Sequence, residues 1–81
     1  ASLTGEGGLD SAHSQLYRRL LEKEQWSRKE ATELCSNWNL MLGGALEVIN
    51  DWSYAVVDAP VLEDADDHIW IDLEIAKELE G

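Results

Sequence analysis

The chain has 81 residues, 17 of them acidic against 6 basic, for a formal net charge of −11. A length of this order is one domain, and a core this small buries only roughly 60% of the unfolded chain's surface. A hydrophobic fraction of 44% places it among globular rather than disordered chains, and so strong a negative charge repels nucleic acid phosphates and anionic lipid headgroups.

Residues 1–8 (ASLTGEGG) are small, polar and glycine-rich, and are read as a flexible lead-in or linker remnant, with one domain over 9–81. From Leu9 to about Glu24, Leu9, Ala12, Leu16, Tyr17, Leu20 and Leu21 fall at helical spacing, with Asp10 or Ser11 as the cap. An Asp-Ser pair also stands at the prosthetic-group serine of small acidic carrier proteins, but ahead of a helix it reads as a cap. A second helix is predicted to begin at Ser27, because Ser27 and Glu30 have the spacing of a capping box and Trp26 can staple onto Ala31. Ala31, Leu34, Cys35 and Trp38 line one face of it, and Asn37-Trp38-Asn39 ends it.

Gly43-Gly44 is read as a bend before a third helix whose inward positions are Leu42, Ala45, Leu46, Ile49, Trp52, Ser53 and Val56. Glu47, Asn50, Asp51, Tyr54 and Asp58 fall on its outer side, and Pro60 stops it. The period then changes. Val61-Leu62-Glu63, a turn over Asp64-Ala65-Asp66-Asp67, and His68-Ile69-Trp70-Ile71 make a β-hairpin, with Ile69 and Ile71 on one face and His68 and Trp70 on the other. Asp72 caps a last short helix packed by Leu73, Ala76 and Leu79. The fold class is therefore mainly α with a small β-hairpin (α+β): a winged-helix-like three-helix core, a hairpin wing and a short C-terminal helix.

Winged helices often bind DNA through the third helix. Here Gly44 to Asp58 holds Glu47, Asp51 and Asp58 with no Lys or Arg, and the wing tip is acidic, so nucleic acid is excluded as a partner. The acidity is local: residues 1–29 are slightly basic, with Arg18, Arg19, Lys23, Arg28 and Lys29, whereas 30–81 set 13 acids against Lys77 alone. No apolar run is long enough for a membrane span, and membrane is excluded as a partner.

Glu63, Asp64, Asp66 and Asp67 supply hard oxygen donors within five residues, the ligand type of Ca²⁺, Mg²⁺ or Mn²⁺. An EF-hand loop starting at Asp64 fails at Ile69, where Gly is needed, and at Ile75, where Glu is needed. The alternative is a solvated acidic turn that protects a hairpin edge. A zinc site would have to draw on Cys35, His13 and His68, which are far apart in sequence. Cys35, the only cysteine, lies on an apolar stripe, and no oxyanion loop accompanies it, so no catalytic residue is assigned. Gly43-Gly44 lacks the Lys-Ser/Thr of a phosphate loop. Trp70 is either an exposed contact residue or packed on the last helix. With Asp51 on the outer side of helix three, it is the candidate for protein interaction.

Leu9-Asp10, the Leu-rich first helix, Trp26-Ser27-Arg28-Lys29-Glu30, Leu40-Met41, Gly44 to Trp52 and Pro60 to Asp64 together resemble the TerB-C domain. The strongest part is L-M-x-x-G-A-L-E-x-I-N-x-W, here Leu40 to Trp52, and the resemblance extends over Leu9 to Leu79. It implies a C-terminal module of bacterial proteins that also carry TerB-N and TerB domains and are associated with tellurite resistance and stress response. It further implies a non-enzymatic accessory domain in the cytoplasm whose acidic residues, here Glu47, Glu63 and Asp64 with Asp66 and Asp67 beside them, bind a divalent cation. The expected partners are other domains of the parent protein or a protein with a basic surface. The alternative is a purely structural C-terminal cap. Tellurite is an anion, and a surface this acidic is a poor place to bind it directly.

Overall fold

A computed structural model describes residues 9–80; the linker reading of residues 1–8 lies outside the described residues. Helix α1 spans Ser11–Leu20, capped by Asp10, whose carboxylate accepts the His13 backbone N–H at 3.0 Å. Leu16, Tyr17 and Leu20 turn one stripe of it into the core. The helix stops four residues short of the expected Glu24. The Trp26 indole N–H donates to the Leu20 carbonyl at 2.9 Å, taking one of the terminal C=O groups that further helix would have satisfied. The Glu24 carbonyl instead accepts the Ile71 N–H at 2.8 Å.

That handover starts a strand that the periodicity does not predict, β1 (Gln25–Ser27). Three residues are too few for a pattern of alternation, and only their pairing partner makes them a strand. The capping box on α2 (Arg28–Ser36) forms as expected: Ser27 Oγ accepts the Glu30 N–H, and Glu30 Oε1 accepts the Ser27 N–H, both at 3.0 Å. Ala31, Leu34 and Cys35 are buried, as is Trp26, which lies on β1 immediately before the Ser27 cap.

Helix α3 spans Leu42–Val57. Gly43 and Gly44 are thus inside its first turn and not a bend ahead of it; both are exposed, with nothing within 4 Å of an added Cβ. Leu42, Ala45, Leu46, Ile49 and Ser53 are buried, but Val56, expected inward, is 52% exposed. The helix ends at Asp58 in the left-handed region (φ 61°), two residues before Pro60. Ser53 Oγ donates to the Ala59 carbonyl at 2.5 Å, which explains a hydroxyl at a fully buried position and fixes the exit from the helix.

Strands β2 (Leu62–Ala65) and β3 (His68–Ile71) form the hairpin, and β3 is the centre of an antiparallel sheet of order β1-β3-β2. The turn is tighter than expected. Asp64 and Ala65 belong to β2, and only Asp66 and Asp67 make the corner, both at positive φ (54° and 62°) as a two-residue hairpin of the I′ kind requires. Helix α4 (Leu73–Glu80) follows the Asp72 cap and packs through Ala76 with Ile75 and Leu79, whereas Leu73, expected in the core, is 41% exposed. The order α1-β1-α2-α3-β2-β3 with β3 central gives the winged-helix arrangement, mainly α with a small sheet.

Candidate functional site

The five expected metal ligands are dispersed. Glu63 and Asp64 are consecutive on β2, so their side chains leave opposite faces of the sheet. Asp64 is committed to Arg28, whose Nη1 lies 2.6 Å from its Oδ2. The charges of Asp64 and Asp67 raise the guanidinium's pKa above its ordinary value, the Asp64 hydrogen bond contributing most. A cation carried by α2 therefore already faces the acidic hairpin. Asp66 and Asp67 project at the tip, and Glu47 stands on the exposed side of α3. Among the described residues no three His, Cys, Asp or Glu side chains gather to hold a metal ion. Of Glu63, Asp64, Asp66, Asp67 and Glu47, the residues expected as metal ligands, no three are brought to one point among the described residues.

The outer face of the sheet carries a different feature. In register, Trp70 lies opposite Gln25 on β1 and Glu63 on β2, so its indole sits on the central strand of the solvent side while Ile69 and Ile71 point into the core. Its neighbour two residues back, His68, holds its ring 6.2 Å away, and Trp70 remains 40% exposed. From Trp70 an open groove of about 810 Å³ runs to the start of α4, lined by Pro60, Ile71 and Leu73 among other apolar residues. Its charged lining residues are Glu24, Glu63, Asp72 and Glu74, with no Lys, Arg or His. Asp72 is occupied as the α4 cap, accepting the backbone N–H groups of Glu74 and Ile75 at 3.1 and 3.2 Å. Of the groove residues, Trp70 and Glu63 were candidates from sequence; Pro60, Leu73, Glu24 and Glu74 were not. Leu73 is three residues before buried Ala76, so helical spacing alone assigns it inward.

Compared with known proteins, residues 2–80 match the family model of the TerB-C domain. The chain belongs to the TerB-C domain family. No curated protein and no solved structure matches it.

Within this TerB-C domain, the Leu40 to Trp52 stretch that carries the resemblance builds the first part of α3 and its seam with the sheet. Trp52 meets Tyr17 edge to face, ring centroids 5.2 Å apart at 74°. Asn50, expected on the outer side, is half-buried and grips β2: its Nδ2 donates to the Leu62 carbonyl and its Oδ1 accepts the Leu62 N–H, both at 3.0 Å. Asn50 thereby supplies the pairing that an adjacent strand would give Leu62. The remaining outer side of α3 shows Met41, Val48 and Tyr54 beside Glu47 and Asp51, all exposed, with no base anywhere on the helix. Burial pushes the Cys35 thiol pKa up, away from the thiolate that nucleophilic chemistry uses. Among the described residues no helix is long and apolar enough to cross a membrane.

Proposed function

We propose that this TerB-C domain is a non-enzymatic interaction module of a tellurite-resistance- and stress-associated bacterial protein. It docks another domain or protein on the outer face of its sheet. The observation that carries this reading is Trp70, a large aromatic kept 40% exposed on the central strand, where it lines a groove of mixed apolar and acidic residues. Burying an indole contributes much of the energy of a typical contact surface, and an idle cap has no reason to leave one in water. The reading does not rest on a metal, since Asp64 of the acidic hairpin already pairs with Arg28.

The test is photocrosslinking in the full-length parent protein expressed in bacteria, with benzoylphenylalanine in place of Leu73. The expected result is one discrete adduct that maps to a single segment and disappears when Trp70→Ala is added. Crosslinks scattered over unrelated proteins, or an adduct indifferent to Trp70→Ala, would refute docking through this face.

A further inference from the structure

Building on the docking reading above, we infer that the segment received by the Trp70 groove is basic: an apolar side chain flanked by Lys or Arg. The apolar and the acidic residues that line the groove ask for different chemistry. Trp70, Leu73 and Pro60 offer apolar surface, which selects an aliphatic side chain. Glu24, Glu63 and Glu74 stand around that surface, exposed, with no basic residue in the lining to neutralise them.

Among the described residues no three carboxylates gather at one point. One compact ion cannot satisfy them, whereas cationic side chains spaced along a peptide can. An anionic ligand is opposed on two counts. The carboxylates repel it, and the amides at the start of α4 that would attract it are already bonded to Asp72. Pairing of the incoming backbone with β2 is also blocked at Leu62, whose N–H and C=O are both held by Asn50. Recognition therefore rests on side chains: an aliphatic group against Trp70 and Leu73, and cations toward Glu63 and Glu74.

The experiment titrates the ¹⁵N-labelled 81-residue chain with three acetylated, amidated pentapeptides, KLRLK, QLQLQ and KSRSK, followed by the Trp70 indole N–H and the backbone amides. KLRLK is expected to give saturable shifts at Trp70, Glu63, Leu73 and Glu74, with QLQLQ and KSRSK each at least roughly tenfold weaker. Raising ionic strength from about 0.1 M to 1 M cuts the Debye length from about 10 Å to 3 Å and is expected to weaken KLRLK toward QLQLQ. Leu73→Ser and the double variant Glu63→Gln/Glu74→Gln are expected to lose binding, while Glu78→Gln, outside the groove, keeps it. KSRSK binding as well as KLRLK would overturn the inference, because it would leave only attraction to an acidic surface. QLQLQ binding as well as KLRLK would overturn the charge selection while leaving the docking face intact. No saturable shift with any peptide would overturn the basic occupant, with the Leu73 crosslink still deciding whether the face docks at all.

Discussion

Replacing Asn50 by Ala removes both bonds from the Leu62 backbone to α3, each 3.0 Å long in a half-buried setting. A typical intramolecular hydrogen bond contributes about 1 kcal/mol net, and a buried group left unpaired costs about 1–3 kcal/mol. Half-burial lets water recover part of this, so the expected loss is about 2–3 kcal/mol, against a total of roughly 4–12 kcal/mol for a chain of this size. In thermal unfolding that corresponds to a fall in Tm of about 10–20 °C. Asn50→Asp sharpens the test, since its carboxylate still accepts the Leu62 N–H but faces the Leu62 carbonyl with no proton to give. The apposition raises the folded-state pKa of that carboxyl, so the penalty is present above the folded value and relieved as pH falls through it. Relative to wild type at each pH, Asn50→Asp should therefore regain stability in acid while Asn50→Ala should not. Urea unfolding of the three proteins at about pH 7 and pH 4 measures both effects. A loss below about 0.5 kcal/mol for Asn50→Ala, or an Asp variant with no recovery in acid, would refute the clamp.

Two further outcomes follow from the helix starts. Gly43→Ala and Gly44→Ala should each stabilise the domain by about 0.5–1 kcal/mol in urea unfolding, because both sit in helix with nothing within 4 Å of the new Cβ. Destabilisation by either would mean that α3 does not begin at Leu42. Asp10→Ala should cost about 1 kcal/mol near pH 6. The His13 N–H holds the Asp10 carboxyl below its ordinary value of 3.8, so this stabilisation is present above that value and lost as pH falls through the lower folded one. The gap between variant and wild type should narrow as pH falls through that lower value; a gap that does not change in acid would show that the ionised cap is not the cause.

The helix starts are legible in sequence because a cap is a local device. Ser27 and Glu30 need only each other, and Asp10 needs only the turn that follows it. Buried stripes are legible for the same reason, as Leu16, Leu34 and Ile49 follow from a 3.6-residue period. Where reading by period fails, the deciding partner is remote. The residues from Glu24 to Ser27 leave helix because β3, more than 40 residues on, offers backbone pairing. Asn50 turns inward because Leu62 presents an unpaired N–H and C=O, and Val56 and Leu73 turn outward because no element covers them.

The candidate site divides along the same line. Charge, by itself, directs attention to basic partners, because a surplus of carboxylates is a property of composition wherever the chain places them. It could not tell a metal site from a docking rim, since that depends on whether carboxylates converge. Strand geometry sends Glu63 and Asp64 to opposite faces, and Arg28 arrives from α2 to claim Asp64. Trp70 likewise had two readings until its register on the central strand was known. The sequence determined the charge, the caps and the family. The tertiary structure decided which side chains meet, because convergence and exposure depend on distances between residues far apart in the chain.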